Sequence, residues 1–187
     1  MIVAVLDACV LYPPSLRDLL MWLASVGAYS PRWTEHIHDE WMRNILKDNP
    51  AIPRHHLERT RRVMDTVKPG CLVLEYERHI PNLRLPDPDD RHVLAAAIQS
   101  HAIHIVSFNL SDFPDSALTP YGVRAVHPDY FLSALLEDNP ELFLQGVQEH
   151  RASLKNPPKD PQDYINTLTA NRLFDLVSRM EPYTDFI

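Results

Sequence analysis

The chain opens on Ile2-Val3-Ala4-Val5-Leu6-Asp7, an apolar run that ends at a carboxylate. The run is too short for a helix and shows no polar alternation, the pattern of a strand buried on both faces of a parallel sheet. In an open α/β sheet, ligands bind beyond the carboxyl ends of the strands, so Asp7 falls where chemistry is done. Downstream the pattern alternates. Residues 15–26 (SLRDLLMWLASV) are apolar at helical spacing, with Ser15 a fitting N-cap. Ala28-Tyr29-Ser30-Pro31 reads as a brief extended piece. A second helix is expected over 34–48, capped by Thr34 and burying Ile37, Trp41, Met42 and Ile45. A third starts at Pro53, at home in a first helical turn, and runs to Lys68. Residues 71–76 (CLVLEY) suit a strand or an extended segment, 89–101 a helix, and 103–107 and 123–126 short strands. Helices are expected over 128–138, 140–155 and 161–180. Few short strands set between helices imply crossover connections and a parallel sheet.

With 187 residues, 45% of them apolar, the chain can hold one domain plus a short extension. No apolar run approaches the ~20 residues that span a bilayer. The N-terminus lacks the basic and apolar regions of a signal peptide, so no membrane association is expected. Cys9 and Cys71 form no CxxC pair and no disulfide framework, which fits a reduced, cytoplasmic setting. The net charge of −7 argues against a general nucleic-acid coat. It is compatible with a nuclease, because an acidic cluster supplies part of that charge.

Four acids stand at the expected chain reversals. Asp7 ends the first strand, where a turn or capping role is the plain alternative. Glu40 lies in mid-helix, where a glutamate is usually just solvated. Asp90 lies in Pro88-Asp89-Asp90-Arg91-His92 at a helix start, a position acids favour for capping and dipole reasons alone; one of Asp89 and Asp90 is expected to be only the cap. Asp112 follows the strand at 103–107. No one of these decides a function, but their order is specific. Four carboxylates converging on one cleft must be protonated or neutralised by cations, and Mg²⁺ or Mn²⁺ suits such an all-oxygen site. The histidines do not form a zinc pattern, and His36 and His38, two apart, do not share a helix face.

The residues together resemble the PIN-domain ribonucleases, in the branch of VapC-like toxins of bacterial toxin–antitoxin pairs. The resemblance rests on LDACVLYP at 6–13, IHDEWMRNI at 37–45, LPDPDDRHVLAAAI at 85–98 and IVSFNLSDFP at 105–114, which follow in family order across about 1–135. It implies a three-layer α/β/α fold around a short, mostly parallel sheet. It also implies a Mg²⁺-dependent endoribonuclease whose metal-binding carboxylates are Asp7, Glu40, Asp90 and Asp112. Asp90 is preferred to Asp89 because it precedes the Leu94–Ala97 run at the family interval. Ser107 stands where the family often has Ser or Thr. Two positions depart: Cys9 stands where many members have Asn, and Asn109 where many have an acid, which removes a charge from one metal subsite. The resemblance further implies an RNA substrate and a cognate antitoxin that blocks the cleft, and it is compatible with a homodimer.

Positive charge for RNA concentrates at Arg54, His55, His56, Arg59, Arg61 and Arg62. Arg59 and Arg62 are candidate RNA contacts or part of an antitoxin dock, although a solvated helix face explains the cluster equally well. Arg17, Arg43 and Arg91 lie nearer the acidic motifs in sequence, free to meet phosphate or to pair with carboxylates. Residues 1–138 read as the nuclease domain and 139–187 as a helical extension. An alternative is a PIN-like binding module that has lost activity, which Asn109 permits. A phosphatase or phosphotransferase on another α/β fold is disfavoured: its nucleophilic Asp would want a second Asp at the position of Cys9. The chain also has no GxxxxGK(S/T) or GxGxxG loop and only four glycines to build one.

Overall fold

The opening run forms β1, Val3–Leu6, and β1 is a central strand. The computed structural model describes all 187 residues. β1 pairs in parallel with β2, Ser30–Arg32, on one side and with β3, His104–Val106, on the other; β4, Arg124–Val126, pairs in parallel with β3. The order β2-β1-β3-β4 means that the chain builds outward from β1 in one direction and then returns to build in the other. The boundary between β1 and β3 is therefore the switch point of the sheet, where a crevice opens at the carboxyl ends of the strands. Ala4, Val5, Leu6, Ile105 and Val106 are fully buried, which explains the unbroken apolar runs.

Two helices follow β1 directly. Asp7 caps the single turn α1, Ala8–Leu11, and α2 spans Pro14–Val26. The proline opens α2, and Gly27, at φ 95°, closes it in the left-handed region. After β2, the Thr34 hydroxyl accepts from the Ile37 N–H and starts α3, Glu35–Asp48. α4, Arg54–Asp65, is tied to α3 and β2 by a buried polar chain. Trp33 Nε1 and His38 Nε2 both meet Asp65 Oδ1, at 2.8 and 3.0 Å, and Trp41 Nε1 donates to His38 Nδ1 at 3.0 Å. Because Nδ1 accepts, Nε2 carries the proton that His38 gives to Asp65. His38 thus serves the scaffold.

α5, Arg91–Gln99, buries Val93 to Ala97 against β1 and β3. α6, Asp115–Leu118, lies just before β4, and beyond β4 the chain is helical, beginning with α7, Pro128–Asp138. α8 (Pro140–Ser153), α9 (Pro161–Ala170) and α10 (Phe174–Met180) complete the chain before a last 3₁₀ stretch. α8 packs closely on α2 at Gly146, where a Cβ would lie 2.9 Å from Leu23 Cδ2 and 3.3 Å from Leu23 Cα. Together these elements form an α/β fold of helices around a four-stranded parallel sheet, with a C-terminal helical region, as the resemblance implies.

Of the two readings open for residues 71–76, the structure takes the extended segment: Leu72 makes one parallel bridge to Trp33, and a 3₁₀ stretch then spans Tyr76–Asn82. Exposed Leu74 and the positive φ of Glu75 show why the run cannot continue as a ladder. The helix expected over 161–180 is two helices. The Asn171 amide bonds back to Thr167 O, Arg172 takes φ 61°, and the buried Asp129 carboxylate accepts from the N–H groups of Asp175 and Leu176, starting α10 afresh.

Candidate metal centre

Asp7 and Ser107 stand side by side, each one residue past the end of its strand at the switch point. Backbone bonds hold the pair in place: Asp7 N–H to Val106 O and Ser107 N–H to Val126 O, both at 3.1 Å. The Ser107 hydroxyl donates to Asp7 Oδ2 at 2.7 Å and accepts from the Asn109 N–H at 3.0 Å. The Cys9 thiol donates to the same Oδ2 at 3.2 Å and accepts from the Phe108 N–H, also at 3.2 Å. Asp7 Oδ1 accepts from the Ala8 N–H at 2.7 Å. Burial pushes the Asp7 carboxyl above its ordinary range; the Ser107 and Cys9 bonds pull it back, and Glu40 raises it further. Cys9 itself is pushed up to about 12, first by burial and then by Asp7, so it remains a thiol. Asn109 serves through its backbone; its amide is exposed and forms no bond in this network.

Asp90 marks the centre of the acidic cluster. Its carboxyl is raised to about 7, first by burial, then by Asp7, Asp112, Asp87 and Glu40 in turn. Asp90, at the start of α5, is thus close enough to the end of β1, to α3 and to the 3₁₀ turn Leu110–Asp112 for Asp7, Glu40 and Asp112 to act on its carboxyl. Asp90 makes no capping bond; in that stretch Asp87 is the cap, accepting from the Asp89 N–H at 2.8 Å, while Asp89 is exposed. The cap expected at Asp89 or Asp90 therefore belongs to Asp87, because the turn begins one proline earlier.

Sequence reasoning missed His92. It lies on the buried face of α5, with Nε2 3.6 Å from Glu40 Oε2, and its ring stacks on His36 at 3.9 Å. Its buried Nδ1 has no hydrogen-bond partner. The signal was the position two residues past Asp90 in a motif already singled out.

No three acidic, histidine or cysteine side chains are closed into a finished metal cage. The donor set nonetheless fits a hard divalent cation. It is all oxygen, and the upward push on Asp90 comes first from burial and then from neighbouring negative charge, the part that a cation between the carboxylates would relieve.

The arginines divide. Arg17 turns inward: it is buried, donates to Leu11 O at 2.9 Å to close α1, and lies 4.9 Å over the Trp41 ring. Its expected phosphate contact gives way to this scaffold role. Arg91 donates to Pro88 O and holds the turn that carries Asp90. Arg43 is exposed on α3, one turn from Glu40 and close enough to act on His36. In α4, Arg61 is engaged by Glu35, Asp39 and Asp65, whereas Arg59 lines a groove between α2 and α4 of about 420 Å³. Met21, Trp22, Met64 and Val67 give that groove apolar walls, and Arg62 lines a separate depression with Glu58, Arg61 and Asp65.

The PIN domain family model matches residues 3–111, more than half of the chain, and the chain belongs to that family. The model described as the VapC50 C-terminal domain matches residues 128–182, beginning at α7. Over 82 residues the chain is 40% identical to a Mycobacterium tuberculosis protein named "Putative ribonuclease VapC50", a match covering 42% of this chain and 47% of that one. The match thus spans about half the length of that relative. No solved structure matches the chain. No helix is long and apolar enough to cross a membrane.

Proposed function

We propose that the protein is a divalent-metal-dependent endoribonuclease, with Mg²⁺ or Mn²⁺ as cofactor, and the toxin of a toxin–antitoxin pair. The observation that carries this reading is Asp90 at the start of α5, held up to about 7 by burial and then by the four neighbouring carboxylates of Asp7, Asp112, Asp87 and Glu40. Asp7, Asp90 and Asp112 would hold the cation, with Glu40 oriented by His92. A bound divalent cation lowers the pKa of an attacking water and stabilises the leaving oxygen of a phosphodiester. The protein groups fit hydrolysis rather than covalent catalysis. The Ser107 hydroxyl is committed to Asp7 and Asn109, and the Cys9 thiol is kept protonated, so neither is an activated nucleophile.

An antitoxin segment is the expected partner, and the apolar groove between α2 and α4, with Arg59 at its edge, suits an amphipathic helix. Residues 1–138 would be the nuclease unit and 139–187 its extension, with the free thiols Cys9 and Cys71 suiting a reducing cytoplasm. The test is RNA end mapping with purified, partner-free protein. Mn²⁺-dependent cleavage that Asp7→Ala abolishes supports the reading. Absence of cleavage in wild type sinks it and favours the inactive binding module that uncharged Asn109 permits.

A further inference from the structure

A pocket of about 280 Å³ lies between the loops that follow β1 and β3 and the α9–α10 corner. Cys9, Pro13 and Phe108 form one wall; Ala170, Asn171 and Arg172 form the other. The Cys9 thiol that lines this pocket also donates to Asp7 Oδ2 at 3.2 Å, so a single side chain separates the pocket from the Asp7 carboxylate.

Arg172 is set in place by its neighbours. The Asn171 amide donates to Ser15 Oγ at 2.8 Å and to Thr167 O at 2.7 Å, pinning the α9–α10 corner to the start of α2. Asp129 fixes the other side of the corner through Asp175 and Leu176. At φ 61° a non-glycine residue costs roughly 1 kcal/mol, and Gly or Asn would sit there more easily. The backbone therefore does not explain an arginine. Nor does pairing: the guanidinium is exposed and joins none of the chain's ion pairs.

A row of rings leads outward from the same pocket. Phe108 meets His127 edge to face at 5.1 Å, and His127 meets Tyr130 in the same manner at 6.3 Å. Tyr130 is 63% exposed, so core packing does not account for it. Aromatic faces beside a free guanidinium are the groups that hold single-stranded nucleic acid: unstacked bases lie on the rings and the phosphate meets the arginine.

We infer that this corner is an RNA subsite, in which Arg172 holds a backbone phosphate next to the carboxylate cleft and the Phe108–His127–Tyr130 row receives the bases of the emerging single strand. The inference rests on the nuclease reading and gives the C-terminal helices a part in gripping the substrate.

The experiment measures the Kd of a fluorescently labelled single-stranded RNA dodecamer, and of its duplex, across a salt series. It is done in a cleavage-deficient Asp90→Asn background, with KM and kcat measured in the otherwise native protein. Arg172→Asn is the variant of choice, because Asn tolerates the left-handed corner and leaves the fold intact. It should weaken single-strand binding, reduce the salt slope by about 0.7, raise KM more than it lowers kcat, and be rescued by Arg172→Lys. Tyr130→Ala should weaken binding about tenfold, with Tyr130→Trp restoring it. Unchanged Kd, KM and salt slope in both variants, with melting temperatures held, would overturn the subsite. So would absence of RNA binding by the Asp90→Asn protein. Arginine- and tyrosine-dependent binding by a wild-type chain that never cleaves RNA would leave the subsite standing and defeat the nuclease reading alone.

Discussion

Asp90→Asn should make the metal-free protein more stable at pH 7.5 while removing its response to metal. The reasoning starts from the half-buried Asp90 carboxyl, raised from an ordinary 3.8 to about 7 by burial and by the surrounding acids. A folded-state value above the unfolded one fixes the sign: stability is fully present below pH 4 and is lost as pH rises toward 7, where the unfolded chain has ionised and the folded chain resists. Taken whole, that separation would approach 4 kcal/mol, but the group is about half exposed and solvent screens it, which leaves roughly 1–2 kcal/mol. Asn removes the charge and sacrifices no cap, since Asp87 makes that bond. At ~2–4 °C per kcal/mol for a chain of this size, the variant should melt roughly 2–8 °C above wild type in EDTA at pH 7.5. The gap should close only as pH falls below about 4. Comparing the two proteins at each pH removes the opposing contribution of buried His38, His104 and His150, whose imidazoles are pushed down by burial in both. Mn²⁺ should raise the wild-type melting temperature and leave Asp90→Asn nearly unmoved. A variant that melts below wild type at pH 7.5 in EDTA would refute the reasoning, because Asp90 would then be structurally paired rather than electrostatically crowded.

Asp89→Ala should cleave RNA almost as wild type and change stability by under about 0.5 kcal/mol, since Asp89 is exposed and caps nothing; loss of cleavage there with Asp90→Ala active would reverse the assignment. Ser107→Ala removes a hydrogen bond to a buried carboxylate, a loss of about 1.5–3 kcal/mol if Asp7 is ionised. Because that bond lowers the Asp7 carboxyl, its loss should also move the acidic limb of the cleavage profile to higher pH; an unmoved profile would show that Ser107 does not act through Asp7. Gly146→Ala should destabilise the chain by roughly 1–2 kcal/mol, because overpacking against Leu23 exceeds the ~1 kcal/mol gained in helix propensity. A rise in melting temperature would mean that α2 and α8 separate easily.

β1 and β3 were legible because they are mostly apolar runs, each followed by a polar residue, whereas β2, Ser30-Pro31-Arg32, carries no such pattern. Asp7 and Ser107 announced the carboxyl ends of β1 and β3 by that change alone. The convergence of Glu40, Asp90 and Asp112 could be expected only from their order along the chain, because nothing local in a mid-helix glutamate distinguishes it from a solvated one. Arg17 shows the converse. Its position near the acidic motifs suggested phosphate, yet its guanidinium closes α1 and covers Trp41, an outcome that depends on how α1, α2 and α3 meet. His92 was hidden because a histidine on an apolar helical face is usually only core. The α9–α10 corner could not be read at all: the cap that restarts the helix, Asp129, is 46 residues away in sequence.

That long-range cap bears on what the C-terminal helices do. If they only covered apolar surface, the fit of α8 to α2 at Gly146 would suffice, and contacts elsewhere could be loose. Instead, a buried carboxylate on α7 and an amide bonded to the start of α2 are both spent on one tight corner. α7 begins just beyond β4, and α2 follows closely on β1 and Asp7, so both anchors spring from the carboxyl edge of the sheet. A corner fixed to that edge from two sides moves with the cleft. Whatever Arg172 contacts is therefore held at a set distance from Asp7, which is what positioning a strand for cleavage demands and what a simple cover for the core would not need.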